Sequence, residues 1–193
     1  MLEKIQNWRI KREIRASERS ARSGELVSAL LGLSPHDLEG KTILDLGSGD
    51  STFSKYAYGF GSKRVISVDP TYSINSPKTT GEFVTAFGQK LPFRDDTFDL
   101  IAISNCFQWV RVGRRAMLAE ALRVLHPSGE VRINPARYKK RNQNDTNIEI
   151  CSSPAGSHVT FAILRKPADG KSNVEKAIEI DKEVVLEPEL EEI

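Results

Sequence analysis

Residues 42–50 read Thr42-Ile43-Leu44-Asp45-Leu46-Gly47-Ser48-Gly49-Asp50, and Asp69 follows Gly49 by twenty positions. Between them lie a short segment with helical spacing and a second apolar run, residues 65–68, which ends at Asp69. This order is typical of one βαβ nucleotide-binding unit, which has a strand, a Gly-x-Gly turn, a helix and a second strand ending in an acid. Glycine suits the turn because the chain leaves a buried strand sharply and a ligand can approach the bare backbone. The stretch predicts a nucleotide site with a ribose beside Asp69.

The charges around the turn distinguish two kinds of nucleotide ligand. A dinucleotide would place its pyrophosphate against backbone N–H groups, but Asp45 and Asp50 flank this turn and would repel an anion. The same carboxylates suit the ammonium and sulfonium of S-adenosylmethionine. Thr52 also replaces the third glycine of a dinucleotide fingerprint. We therefore expect S-adenosylmethionine, ahead of a nicotinamide dinucleotide or an empty structural turn.

The remaining apolar pattern predicts an α/β fold. Five runs are typical of strands in a parallel sheet: residues 42–46, 65–68, 82–84, 99–103 and 130–133. Helical spacing follows at 52–58 and 114–125, and residues 147–151 and 159–165 read as a closing antiparallel hairpin. The expected fold class is a doubly wound, Rossmann-like, mostly parallel sheet with an antiparallel last strand.

Four blocks in this order resemble the class I S-adenosylmethionine-dependent methyltransferases, in their small methyltransferase-domain form. The blocks are Leu44-Asp45-Leu46-Gly47-Ser48-Gly49, Val68-Asp69, the Leu91-Pro92-Phe93 run with the residues up to Ile101, and Arg123-Val124-Leu125-His126-Pro127-Ser128-Gly129. The resemblance covers residues 41–133. It implies the class I methyltransferase architecture, S-adenosyl-L-methionine as cofactor and methyl transfer to an unidentified acceptor, with a small molecule favoured.

Spacing and resemblance together predict the cofactor-binding residues: Asp45, Gly47, Ser48, Gly49, Asp69, Pro70, Gly88, Gln89 and Ser104. The turn at Gly88 and Gln89 would face the adenine through its backbone. Four residues before the Leu-Pro-Phe run, the resembling family usually has an Asp that accepts a hydrogen bond from the adenine amino group, whereas this chain has Phe87. Phe87 either stacks on the ring or is a structural aromatic. Losing one neutral hydrogen bond costs only about 0.5–1.5 kcal/mol, so the expected ligand stays the same.

The acceptor is expected at the carboxyl edge of the sheet, where ligands of doubly wound folds bind. Four side chains beyond the fourth strand are candidates for its site: Ser104, Asn105, Gln108 and Trp109. Polar groups here would align a nucleophile, and Trp109 would wall the site or contact the cationic methyl. An equally weighted alternative is that they cap and pack the next helix. None is a strong general base, and the three histidines lie in predicted turns, so no catalytic residue is assigned.

Three regions are expected along the chain. Residues 1–40 form amino-terminal helices that cover the cleft, residues 41–166 form the methyltransferase-like domain, and residues 167–193 form an acidic tail, appended or mobile. Within residues 2–22, four arginines lie on one helix face: Arg12, Arg15, Arg19 and Arg22. A solvated face is the favoured interpretation of this stripe, ahead of a surface for nucleic acid or an acidic partner.

Composition excludes several classes of protein. With 193 residues, of which 39% are hydrophobic and 28% charged, the chain suits one α/β domain. It contains no run near the roughly 20 apolar residues of a membrane span, and its start does not resemble a secretory signal. We therefore expect a cytoplasmic protein without a membrane partner. Cys106 and Cys151 have no metal-ligand spacing, so no metal site is expected.

Two other functions remain open. A non-catalytic methyltransferase-like protein that binds nucleic acid or a protein is favoured by Phe87, by the absent base and by the segment 134–147, which is short for the helix usual there. The basic cluster at residues 137–141 makes a nucleic-acid acceptor the second choice after a small molecule. A nicotinamide-dependent oxidoreductase is third. The oligomeric state is left open.

Overall fold

The computed structural model describes residues 23–49, 52–71, 81–106, 110, 113–134, 137–138, 148–152, 154, 160–166 and 184–185. The predicted helix at residues 2–22, with its arginine stripe, lies outside these residues, as does most of the acidic tail. Within the described part, no helix combines the length and apolar character needed to cross a membrane.

Four helices and nine strands are described. The helices are α1 (Gly24–Leu30), α2 (Pro35–Leu38), α3 (Phe53–Gly59) and α4 (Arg114–Val124). The strands are β1 (Thr42–Leu46), β2 (Arg64–Val68), β3 (Glu82–Val84), β4 (Phe98–Ser104), β5 (Leu125–Asn134), β6 (Arg137–Tyr138), β7 (Ile148–Ser152), β8 (Thr160–Arg165) and β9 (Val184–Val185).

Seven of these strands form one sheet in the order β3-β2-β1-β4-β5-β8-β7. The first five are parallel, and β8 runs antiparallel to both β5 and β7. This topology confirms the predicted α/β class with an antiparallel closing hairpin. The chain order reverses between β1 and β4, and a crevice opens at such a point beyond the carboxyl ends of the strands.

The fifth strand is longer than its sequence pattern predicts. The residues 127–129, Pro-Ser-Gly, indicate a break before a strand at 130–133, but β5 begins at Leu125, which pairs with Phe98. The register then shifts, and pairing resumes between Leu100 and Glu130. Proline has no N–H to donate to the neighbouring strand and is therefore disfavoured in a regular strand. Pro127 is tolerated here because the strand pairing is already interrupted by the register shift.

A separate two-stranded sheet joins β6 to β9 in antiparallel register, with Arg137 opposite Val185. It lies in the short segment after β5 and in the predicted acidic tail. Residues 184–185 are therefore paired with the backbone of residues 137–138.

Side-chain hydrogen bonds cap the starts of the first two helices. The Ser23 hydroxyl accepts a hydrogen bond from the Leu26 N–H at 3.2 Å and caps α1. At α2, the Asp37 carboxylate accepts from the Ser34 N–H at 2.8 Å and from its hydroxyl at 2.7 Å. Gly40, with φ +68°, then lets the chain turn into β1.

The core lies on both faces of the sheet. Leu44 of β1 packs on the face covered by α4, while its neighbour Ile43 packs on the face covered by α1 and α3. Successive strand residues point to opposite faces, so a strand covered on both sides needs apolar residues in sequence. This is the physical reason for the continuous apolar runs.

Arg132 of β5 fastens the amino-terminal helices to the sheet. The residue is buried, with 8% exposed, and its side chain donates to the carbonyl oxygens of Leu31 at 3.4 Å and Gly32 at 2.6 Å. These carbonyls end α1, where a cation is favoured by the helix dipole. The guanidinium also lies 5.6 Å from the centre of the Phe161 ring and donates to Glu130 at 2.6 Å.

Candidate functional site

A cavity of about 500 Å³ opens beyond the carboxyl ends of β1, β2 and β4. It lies at the point where the strand order reverses, as expected for ligand binding in a doubly wound sheet. Its walls are formed by Leu46, Gly47, Val68, Asp69, Pro70, Thr71, Ala86, Phe87, Gly88, Gln89, Asn105, Cys106, Val110 and Met117. Its volume is in the range of small-molecule sites.

Asp69 connects the glycine turn to the end of β2. Its Oδ2 accepts a hydrogen bond from the Gly49 N–H at 3.0 Å, and its Oδ1 accepts from the N–H and hydroxyl of Thr71 at 2.8 and 2.6 Å. The N–H groups of Gly47 and Ser48 donate to the Val68 carbonyl at 2.8 and 3.1 Å. The carboxylate is therefore held in place, and its spare lone pairs remain suited to ribose hydroxyls.

Cys106 packs directly against the glycine turn. A Cβ added to Gly47 would lie 2.2 Å from the Cys106 Sγ, and Gly47 also has φ +74°. Glycine is needed here for its backbone angle and for the close approach of this thiol. The Cys106 thiol donates to the Leu46 carbonyl at 3.3 Å and forms part of the cavity wall.

The electrostatic environment of Cys106 is negative. Burial, together with the charges of Asp45 and Asp69, raises the pKa of the Cys106 thiol to about 12. The thiol is therefore protonated at neutral pH and is not a nucleophile. Asp45 itself is buried, with 3% exposed. Two carboxylates thus act on the cavity beside the glycine turn, where they disfavour an anion and favour a cation.

Another part of the cavity wall is mostly apolar. It is formed by the loop after β3, where Ala86, Phe87 and Gly88 line the cavity, and by Met117 of α4. The Phe87 side chain is 69% exposed. A Cβ on Gly88 would lie 3.0 Å from the Met117 Cγ, so the loop approaches the helix closely.

Arg123 of α4 holds the continuation of this loop. Its guanidinium donates to the carbonyl oxygens of Leu91 at 3.0 Å and Phe93 at 2.9 Å, and it pairs with Asp95 at 2.7 Å. Glu120 completes the network, because it accepts from Arg123 Nε at 2.8 Å and from the Leu91 N–H at 2.8 Å. Two blocks of the family resemblance, the Leu-Pro-Phe run and the segment starting at Arg123, are joined by this network.

Two of the four acceptor-side candidates, Ser104 and Asn105, lie within the described residues. Asn105 lines the cavity, with φ +52°, and its N–H donates to the Asn134 carbonyl at 2.7 Å. The Asn105 side-chain amide donates to the Ser104 hydroxyl at 3.3 Å, and Ser104 is not among the wall residues. Gln108 and Trp109 lie outside the described residues. Asparagine is one of the few residue types that adopt such a positive φ.

The predicted cofactor residues fall into two groups. Five contribute to the cavity wall: Gly47, Asp69, Pro70, Gly88 and Gln89. The other four lie beside the wall without forming it: Asp45, Ser48, Gly49 and Ser104. Among these, Gly49 acts through its hydrogen bond to Asp69, and Asp45 acts through its charge.

Sequence reasoning missed several wall residues, including Thr71, Cys106 and Met117. Thr71 carried a signal, since a hydroxyl residue two positions after an Asp favours a local side-chain turn. Met117 lies within the predicted helix at 114–125, and it is buried in the core as well as lining the cavity. Nothing in the sequence connects Cys106 to Gly47. Among the described residues, no group of three or more His, Cys, Asp or Glu side chains could hold a metal ion.

The wall fits an adenosyl ligand. A held carboxylate is available to ribose hydroxyls, the negative charge beside the glycine turn suits an ammonium and a sulfonium, and the apolar wall suits a base. A pyrophosphate would meet the same negative charge, which disfavours the dinucleotide alternative.

Comparison with known proteins gives independent information. Residues 44–133 match the family model of a methyltransferase domain. An uncharacterized methyltransferase of Mycobacterium avium is 37% identical over 97 residues, a match that covers 47% of this chain. The matched part of the chain spans only 37% of the length of that relative.

Two solved structures share the fold. A TehB-like SAM-dependent methyltransferase from Corynebacterium glutamicum aligns with a TM-score of 0.55 and 19% identity. The alignment covers 86% of this chain and 100% of that protein. An S-adenosylmethionine-dependent methyltransferase from Mesorhizobium loti aligns with a TM-score of 0.50 and 17% identity, covering 82% of each chain. At these identities the likeness concerns the fold, and it confirms the class I methyltransferase architecture.

Proposed function

We propose that this chain is an S-adenosylmethionine-dependent methyltransferase, because residues 44–133 match the family model of a methyltransferase domain and the sheet has the class I methyltransferase fold. The observation that carries the proposal is the cavity at the reversal of the strand order, with Asp69 bonded to the Gly49 N–H in its wall. We further propose a small-molecule acceptor and a cytoplasmic location.

The chain's own residues have separate roles in holding the cofactor. Asp69 would accept hydrogen bonds from the ribose hydroxyls, and its bonds to Gly49 and Thr71 fix it beforehand. Asp45 adds negative charge beside the turn, which would favour the cationic part of the ligand. The loop at residues 86–89 would take the base. When bound, the cofactor supplies a methyl group on a sulfonium, which is a good leaving group.

On the acceptor side, the chain mainly has to position a nucleophile. Asn105 lies in the cavity wall at the end of β4, and its backbone is anchored to β5, so its amide is a fixed group for orientation. The titratable side chains among the described wall residues are Asp69 and Cys106. Asp69 is engaged by the turn and Cys106 is protonated, so we propose an acceptor whose nucleophilic atom needs little help in losing a proton.

Calorimetric titration of the purified chain tests the proposal. We expect binding of S-adenosylmethionine and S-adenosylhomocysteine and no binding of a nicotinamide dinucleotide. In thermal unfolding, a ligand at a hundred times its dissociation constant adds about 2.7 kcal/mol of stability. Asp69→Ala should abolish this gain, whereas Glu25→Ala, which removes an exposed acid of α1 outside the cavity, should retain it. Absence of any adenosyl binding by the unchanged chain would overturn the proposal.

A non-catalytic adenosyl-binding protein is the second candidate, because the described wall residues include no side chain suited to act as a base. Turnover distinguishes the two candidates. Incubation with cofactor labelled in the methyl group and a small-molecule cell extract should transfer label if the chain is an enzyme. Binding without transfer to any extract would favour the second candidate.

A further inference from the structure

We propose that Phe87 holds the base of the adenosyl ligand by stacking, and that the site therefore does not read the substituent at position 6 of the purine. The inference rests on the proposed function, because it concerns the base of the same ligand. It predicts that this chain binds the 6-amino and 6-oxo purine forms of the ligand equally well.

The first observation is the exposure of Phe87. At 69%, it is the most exposed large hydrophobic side chain in the described part of the chain, ahead of Leu26 at 42% and Phe60 at 39%. It also lines the cavity. An exposed aromatic ring in a cavity wall offers a face on which any base can stack, since every base has a π-face.

The second observation is the absence of an acid from this wall. Residues 83–94 contain no Asp or Glu. Asp69, the one carboxylate among the described wall residues, lies at the end of β2 and is bonded to Gly49 and Thr71. Glu120 of α4 lies next to the loop, but it accepts from Arg123 and from the Leu91 N–H. The 6-amino group of an adenine would therefore meet no side-chain carboxylate among these residues.

The third observation is that the backbone on which Phe87 stands is held in place. The Lys90 N–H donates to the Phe87 carbonyl at 3.0 Å, and Arg123 fixes the following residue, Leu91. Gly88 packs against the buried side chain of Met117. Stacking on this ring does not require the loop to order first, so little of the binding free energy is lost to entropy.

The test compares S-adenosylhomocysteine with S-inosylhomocysteine, which has a 6-oxo group in place of the 6-amino group and an N–H in place of the bare N1. For the unchanged chain, we expect dissociation constants within about threefold of each other, because stacking does not depend on hydrogen-bond readout. Phe87→Ala should weaken both ligands by about fivefold to a hundredfold, the usual loss when one stacking aromatic is removed. Phe87→Tyr, which keeps the ring, should bind both as the unchanged chain does.

Two polar variants test the base readout. Phe87→Asp adds a carboxylate, which can accept a hydrogen bond from the 6-amino group but not from the 6-oxo oxygen. This variant should therefore bind the 6-amino ligand at least about tenfold better than the 6-oxo ligand. Phe87→Asn is the matched control: its amide both donates and accepts, so it should show no such preference. Since Phe87 is exposed, all variants should unfold at the temperature of the unchanged chain.

The inference is wrong if the unchanged chain prefers the 6-amino ligand by more than about tenfold, or if Phe87→Ala binds both ligands as tightly as the unchanged chain. Failure of the unchanged chain to bind S-adenosylhomocysteine would overturn the proposed function, and this inference with it. Binding that is insensitive to Phe87 would overturn the inference alone.

Discussion

At the scale of single residues, the glycine turn depends on contacts that are distant in the sequence. Gly47 and Gly49 both have positive φ, but their surroundings differ. Gly47 packs against the Cys106 thiol, whereas no described atom lies within 4 Å of a Cβ added at Gly49. An alanine at Gly49 would therefore cost only backbone strain, whereas an alanine at Gly47 would add a steric clash with Cys106.

Substitution at both positions tests this difference. Gly49→Ala should lower the free energy of unfolding by about 1–2 kcal/mol through its left-handed φ alone. Gly47→Ala should lose a further 1–3 kcal/mol, approximately, because its Cβ would overpack the Cys106 thiol. Urea denaturation measures both. The double variant Gly47→Ala with Cys106→Gly should recover part of that further loss. Equal stabilities for the two single variants would contradict the role given to Cys106.

The Cys106 thiol should react slowly in the folded protein. Its pKa of about 12, against an ordinary value of 9.0, lowers the thiolate fraction at pH 8 roughly a thousandfold. In Cys151→Ser, where Cys106 is the remaining cysteine, we expect alkylation by iodoacetamide far slower than in the same protein in denaturant, and faster as the pH rises. Mass spectrometry follows the reaction. Alkylation at the rate of an unfolded thiol would show that neither burial nor the two acids protect it.

At the scale of elements, Arg132 joins α1 to the sheet across about a hundred residues of chain. Arg132→Met keeps most of the apolar stem but leaves the Leu31 and Gly32 carbonyls without this donor. We expect a loss of about 2–4 kcal/mol, since buried groups left without partners are costly. Urea denaturation measures the loss, and hydrogen exchange should show faster opening of α1.

Arg64→Met is the matched control for this prediction. Arg64 also pairs with a glutamate, Glu82, but on the exposed surface at the sheet edge. Exposed pairs contribute about 0–1 kcal/mol, so the control should change stability little. Similar losses for Arg132→Met and Arg64→Met would mean that burial of Arg132 adds nothing.

At the scale of the whole molecule, the Arg123 network couples a cavity wall to α4 and makes stability depend on pH. Hydrogen bonds from Arg123 lower the pKa of Glu120 below its ordinary value of 4.5, against the opposing effect of burial. As the pH falls, the Glu120 carboxylate therefore takes up a proton at a higher pH in the unfolded chain than in the folded protein. The stabilisation is therefore present above pH 4.5 and is lost as the pH falls through the lower pKa of the folded state.

Glu120→Gln should reduce this dependence. Between about pH 5 and pH 3, the unchanged chain should lose stability more steeply than the variant, because the variant has no proton to bind at this position. Glu25→Gln, an exposed change on α1, is the control and should keep the original slope. Chemical denaturation at several pH values gives the comparison. Parallel slopes for all three proteins would exclude Glu120 as a contributor.

The sequence by itself determined the parts of this protein that depend on neighbours along the chain. Strand period, helical spacing and glycine spacing are local properties, so β1, β3, α3, α4 and the closing hairpin match their predicted positions within one residue. The Gly-x-Gly turn and Asp69 were also identified from spacing, because one βαβ unit brings them together.

Only the tertiary structure decided which distant side chains meet. Cys106 lies under Gly47, Arg132 reaches the end of α1, and Arg123 holds the loop after Phe87. The register shift that lengthens β5 likewise depends on its pairing with β4. These contacts form only when the crossover connections bring the strands side by side and the helices pack over them. The number of residues between two side chains in the sequence does not predict the distance between them in such a fold. The chain thus encodes its glycine turn and the acids beside it locally, whereas the shape of the surrounding cavity is a product of packing.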